Sequence, residues 1–362
     1  FGASVTQFVD GRGVQILGPD LRGYLHNQKI YSAKISGLAS ANPNHGEIDI
    51  SGKKIEIDTT NNLGGLQILG FGAKQDFYVI IEELALNPAI QVDQTIRHYD
   101  IEGNLIGIAR MPLVEQYTFV AQDFAVGPEG TLYAMLTRPD RVDVVRLNFS
   151  EMLTPILPAQ PAEISVQEGE PIINNSITAC VTRSAMISTA AGYLYNSKYY
   201  SSTNTDGSCG GRTKPHYISG AGTYSSMPYD YGGFDSVSQF NGYMSPGTYQ
   251  AGDADSTEDN PNCDKGVDCS GYVSRAWQQT TKYGTWTLAN ISYQITNDEL
   301  LYGDILNKSG SHTVLFVNFN GSSGIYDYES TVYGNYDRVV YLTSPWSRFT
   351  GYTALRYNNV CP

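Results

Sequence analysis

The chain of 362 residues holds only five cysteines and five histidines, and both scarcities exclude something. No two cysteines stand in Cys-x-x-Cys spacing and the histidines are scattered, so no zinc-binding pattern is present. No apolar run approaches the length needed to cross a bilayer as a helix. Basic residues are outnumbered, 23 against 36 acidic ones. The net charge of −13 argues against nucleic acid or an anionic membrane as partner. The acidic group Asp253, Asp255, Glu258 and Asp259 lacks the turn glycine and closing glutamate of an EF-hand. It reads as a solvated acidic loop, and no metal or other cofactor is expected. The opening Phe1-Gly2-Ala3-Ser4 has neither an initiator methionine nor a basic start, which reads as a processed or trimmed product. The remaining composition is that of a globular protein, 41% hydrophobic, and the length suggests two domains.

The most informative stretch is Asp268-Cys269-Ser270-Gly271, followed by Tyr272-Val273-Ser274-Arg275-Ala276-Trp277. Tyr272, Val273, Ala276 and Trp277 recur at helical spacing, which predicts an amphipathic helix opening at Cys269. A thiol in the first turn of a helix faces the positive end of the macrodipole, which favours thiolate and makes a nucleophile. Further along, a polar turn leads into His312 and the alternating segment Thr313–Val317, which reads as a strand. Imidazole can take the thiol proton and return it to a leaving amine. A third group is then needed to orient the ring. Asp327 and Glu329, in the next strand-like segment, share parity and so point to one face, and parity does not choose between them.

Three ordered motifs now carry a resemblance: Pro228-Tyr229-Asp230-Tyr231-Gly232-Gly233, Gly266-Val267-Asp268-Cys269-Ser270-Gly271, and Gly303-Asp304-Ile305-Leu306 with His312. Over about residues 176–357 the chain resembles the NlpC-type, papain-like cysteine peptidases, the bacterial cell-wall endopeptidases and their relatives. The resemblance implies Cys269 as nucleophile, His312 as base, and a polar residue on the next strand as orienter, Glu329 with Asp327 as the alternative. It also implies Tyr229 lining the site, with Asp268 and Ser270 beside it as oxyanion or substrate-positioning groups. Two departures stand out: Tyr231 replaces the family's common tryptophan, and a carboxylate replaces the frequent histidine at the orienting position. The implied partner is a peptide, most naturally a peptidoglycan stem peptide, whose amide bond is cut through an acyl-enzyme. The alternatives are a non-catalytic adhesion or binding protein on the same shell, and an amidase or acyltransferase acting on another substrate.

With Cys269 as the free nucleophile, four cysteines remain, enough for two disulfides in three possible connectivities. Cys209 and Cys263 flank the Gly/Ser/Tyr-rich segment 204–264 and are paired here, leaving Cys180 with Cys361. Two disulfides suit an oxidising compartment, so the expected location is secreted, and the resemblance implies a bacterial cell envelope. Segment 204–264 reads as a long structured loop forming one wall of the substrate groove. A helix is predicted over about 177–199, with Val181, Ile187, Ala191 and Leu194 on one face, packing against the helix of Cys269.

Residues 1–149 read as an all-β module, with short runs such as Val14–Leu17, Lys54–Ile57, Phe77–Ile81 and Val142–Leu147 between turn residues. The hexapeptide Gly13–Gly18 recurs as Gly65–Gly70, and about 99–147 weakly resembles a β-propeller blade. At roughly 40–50 residues per blade, this length supplies too few to close a ring. Another sheet module, such as an SH3-like domain, is the alternative. Residues 150–175, with Pro155, Pro158 and Pro161, read as a linker. The predicted fold class is therefore α+β: an all-β module, a linker, and an NlpC-type domain over 176–362.

Overall fold

The computed structural model describes residues 5–9, 13–16, 21–26, 29–36, 42–50, 52–72, 74, 76–86, 89–112, 124–127, 130–138, 141–154, 156–157, 180–245, 249–256, 262–321 and 323–361. Strands account for 45% of the structure and helices for 16%, with three α-helices among the described residues. All sheets of three or more strands in the first unit are antiparallel, as are the pairings of Ile305–Lys308 and Thr353–Tyr357 in the second. This corrects the predicted fold class. The protein is mostly β, not an α+β fold of the papain-like kind. The helical signal around Cys269 is genuine, but it is local, and among the described residues strands far outweigh helices.

The chain divides into two compact units, the first formed by Phe1–Ala162 with the short pieces Phe319–Ile325 and Ser344–Gly351. It holds two four-stranded meanders in sequence order, Leu21–His26 to Lys53–Asp58 and Asn62–Phe71 to Leu105–Arg110. A three-stranded sheet follows, Phe124–Val126, Leu132–Thr137 and Val142–Arg146. Alternation decides which face is buried: along His45–Ile50, Gly46, Ile48 and Ile50 point inward. The strand Phe77–Ala85 lacks that alternation because both its faces are covered. Phe77, Val79 and Ile81 join a core with Ile48, Ile57 and Leu63, while Tyr78 joins another with Ile96, Leu132 and Ala134.

The blade-like stretch 99–147 is not one blade. Tyr99 ends Gln91–Tyr99, which pairs with Leu105–Arg110 in one sheet, whereas Leu132–Thr137 and Val142–Arg146 belong to another. Residues 113–123 lie outside the described residues, as do Leu17 and Gly18 of the first hexapeptide. At the start of the predicted linker, Ser150 exchanges two backbone hydrogen bonds with Ile108 (2.8 and 2.9 Å), so the sheet edge extends into it. Pro155 and residues 158–175 lie outside the described residues.

The second unit, Glu163–Asn318 with Tyr326–Thr343 and Tyr352–Pro362, is built on a six-stranded sheet. Its spatial order is Ser292–Gln294, Thr353–Tyr357, Ile305–Lys308, His312–Phe319, Gly324–Thr331 and Arg338–Pro345. Helix α1 covers Arg183–Leu194, α2 Val237–Met244 and α3 Cys269–Ala276. The predicted helix over 177–199 is thus shorter, because Thr182 caps its start by accepting from the Ala185 N–H and the chain leaves helix at Tyr195. Ser197–Tyr200 is instead a strand paired with Gly222–Ser225, in keeping with its two β-favouring tyrosines. The buried stripe of α1 is Met186, Ala190 and Tyr193, with Ile187, Ala191 and Leu194 only partly covered. Helix α1 packs on α3: the Tyr272 hydroxyl donates to Ala190 O (3.1 Å), and the Tyr193 and Tyr272 rings meet edge to face at 5.4 Å. Burying side chains such as Val273 contributes about 1.5–3 kcal/mol each.

Segment 204–264 is not an open loop. It contains the strand Gly222–Ser225, helix α2 and the strand pair Gln250–Ala251 with Asp264–Lys265. Helix α2 opens on a capping box formed by Ser236 and Gln239.

Candidate active site

Cys269 is the first residue of α3, and Asp268 is its N-cap, accepting from the Gly271 N–H (2.6 Å). The other Asp268 oxygen accepts from the Gly232 N–H (3.2 Å) and forms an ion pair with Lys282. Ser270 donates its hydroxyl to Asp268 (3.0 Å). Asp268 and Ser270 therefore serve the cap, holding the helix start and the turn Gly232–Gly233 together. The turn comes very close here. A Cβ on Gly271 would lie 2.2 Å from Gly233 O, so only glycine allows the approach. Among the described residues Cys269 is the one free cysteine. It is 7% exposed, and its backbone N–H lies in the first turn, where intrahelical partners are lacking.

His312 opens the strand His312–Phe319, directly opposite Lys308 across a hairpin. Its Nε2 meets Glu329 Oε2 at 2.6 Å, and Glu329 is fully buried. The Cys269 sulfur acts on the same ring, by its charge and by hydrogen bonding. Burial pulls the imidazole toward the neutral form, but the Cys269 charge, the Cys269 hydrogen bond and Glu329 outweigh it, and the ring is pushed up to about 10. Asp327, fully buried, shares the parity of Glu329, and its charge is felt by the Tyr272 and Tyr341 phenols. The hydrogen bond to His312 belongs to Glu329.

Tyr229 lies beside the sulfur. Burial first, then the Cys269 and Asp268 charges, push its phenol well above the usual range, so it stays a hydroxyl donor. Its backbone N–H donates to Asp337 O (2.8 Å), and a parallel bridge joins it to Val267. Comparison of the chain with protein-family models, with curated proteins and with solved structures finds no match.

Both paired disulfides form, Cys180 with Cys361 and Cys209 with Cys263, with Cα separations of 4.9 and 5.7 Å. No helix among the described residues is long and apolar enough to cross a membrane. The acidic group needs a correction: Asp253 is fully buried, not solvated, because its Oδ1 accepts from the Thr213 and Asp255 N–H groups (2.8 and 3.0 Å). Glu258 and Asp259 lie outside the described residues. No group of ligating side chains among the described residues is arranged to hold a metal ion.

Several supporting residues escaped sequence reading. Ser330, next to Glu329, donates to Val267 O (2.6 Å), so the strand that orients the imidazole also fixes the segment before Cys269. Lys282 neutralises Asp268 from the chain beyond α3. Asp337, buried, accepts from the backbone N–H and ring Nδ1 of His216 (2.7 and 2.5 Å) while its carbonyl holds Tyr229. No local pattern marks such contacts, since each joins segments far apart in sequence.

Proposed function

We propose that the protein is a secreted cysteine hydrolase that cleaves amide bonds, most naturally in peptidoglycan stem peptides, as its NlpC-type motifs imply. The observation that carries the reading is the Glu329–His312 hydrogen bond on an imidazole that also feels the Cys269 sulfur. His312 takes the thiol proton, and the sulfur attacks the amide carbonyl. The Cys269 N–H and the Tyr229 hydroxyl stabilise the oxyanion. The imidazolium then gives its proton to the leaving nitrogen as the C–N bond breaks. Water, deprotonated by His312, attacks the acyl carbon and releases the sulfur. The two disulfides support an oxidising, extracellular setting.

A second reading, a binding protein without turnover, draws on the small exposure of Cys269. Iodoacetamide separates them: alkylation of Cys269 far faster than an ordinary buried thiol supports the enzyme, and sluggish alkylation the binder. Muropeptides incubated with parent and C269A protein and read by mass spectrometry test the substrate. A C269A protein that hydrolyses at the parent rate refutes the mechanism.

A further inference from the structure

The chain leaving α3 runs back past both reacting residues. Lys282 pairs with Asp268, the residue before Cys269. Ser274 Oγ, within α3, accepts from the Tyr283 N–H (3.0 Å) and holds the segment inward. Thr285 is tied to the hairpin of His312: its carbonyl accepts from Asn307 Nδ2 and its hydroxyl from the Gly310 N–H (both 3.1 Å). Trp286 then lies over Gly310, two residues before His312. A Cβ there would stand 2.2 Å from the indole, and Gly310 itself has φ +75°. This segment thus connects the flank of the nucleophile to the flank of the base, and its last residue is an indole 75% exposed. An indole stacked on bare backbone and open to solvent is a large apolar face held in place at low entropic cost.

We infer that Trp286 is a specificity-determining residue that receives the leaving-amine half of the substrate, favouring an apolar side chain next to the scissile nitrogen. The inference rests on the proposed hydrolase reading. In that chemistry His312 must protonate the departing nitrogen, so the amine half lies on the His312 side of the sulfur. The hairpin of His312 is where Trp286 sits.

The test uses the full chain, acylated at Cys269 by p-nitrophenyl acetate, with p-nitrophenolate leaving as the C–S bond forms. Water competes for the acyl group with glycinamide, leucinamide or phenylalaninamide. The amine attacks the acyl carbon, the sulfur leaves, and His312 passes the amine proton to it. Both products come from one acyl-enzyme, so their ratio is independent of how fast it forms. The parent is expected to divert acetyl to leucinamide and phenylalaninamide about 10-fold more than to glycinamide, the scale of a small apolar contact. W286A brings the three together, and W286F keeps part of the preference. Equal use of the amines by the parent, or an undiminished preference in W286A, overturns the inference while leaving the hydrolase intact. Absence of any acetyl on Cys269 overturns the hydrolase reading and the inference with it.

Discussion

A buried imidazole loses basicity unless charge stands beside it, and His312 has Glu329 on Nε2 and the Cys269 sulfur nearby. Its folded value near 10 lies above the unfolded 6.5. Stability drawn from this proton is therefore complete below pH 6.5 and lost as pH rises through about 10. The same proton is the one delivered to the leaving amine, so the basic limb of kcat/KM should fall near its titration. In E329Q that limb moves to lower pH, whereas in D327N it stays, because Asp327 does not bond the ring; a pH–rate profile of both variants decides between the carboxylates. Tyr229→Phe removes one oxyanion donor and is expected to lower kcat by about 10²–10³ with KM little changed, read by steady-state kinetics.

Elements bring these side chains together, and Asp304 shows how. It is buried between Arg183 at the start of α1 (2.7 Å) and Arg356 on the sheet (2.8 Å), clamping helix to strand. Trp277 secures the same corner, donating to Gly303 O (2.8 Å) and stacking on Tyr357 at 5.2 Å. Asp304→Asn leaves two largely buried guanidinium groups short of a counter-charge and should cost about 3–5 kcal/mol in a urea unfolding curve. At this scale local pattern was legible and distant pairing was not. The period of Tyr272, Val273, Ala276 and Trp277 marked α3, since that signal lies within a few residues. The helix predicted over 177–199 ran too far because Ser197–Tyr200 takes its strand form from Gly222–Ser225, a partner with no local signature. Glu329 and Asp327 were indistinguishable by parity, and only the position of His312 on the neighbouring strand separates them.

Across the whole molecule, covalent ties and buried charge set the conditions under which the second unit holds. The disulfide Cys180–Cys361 spans 181 residues and joins the start of α1 to the strand end, where Val181 and Asn359 also share a backbone hydrogen bond (2.9 Å). In the chain-entropy view its loss costs up to about 5 kcal/mol, to be read by comparing C180S/C361S with parent in denaturant.

The disulfide Cys209–Cys263 closes the segment whose interior holds Asp230 and Asp253 and whose end meets Asp264. Arg212 lies among these carboxyls, itself pulled below its ordinary value by burial, and spends its donors on Gly252 O, Ala251 O and Gln250. Burial, with repulsion from Asp253, pushes Asp264 up to about 6, and Asp230 and Asp253 also move upward. A carboxyl raised on folding holds its proton where the unfolded chain has lost it. Between the unfolded 3.8 and about 6 the folded state binds more protons, and stability falls as pH rises through that window. Acidification from pH 7 toward 5 is therefore expected to raise the melting temperature, since the group gives up an unfavourable buried charge. Asp264→Asn, neutral at every pH, should melt higher than parent at pH 7 and show a flatter profile from 7 to 5. A melting temperature that falls equally in parent and variant over that range would mean the charge of Asp264 is compensated in the folded state, with Arg212 and Lys265 supplying the attraction that burial removes.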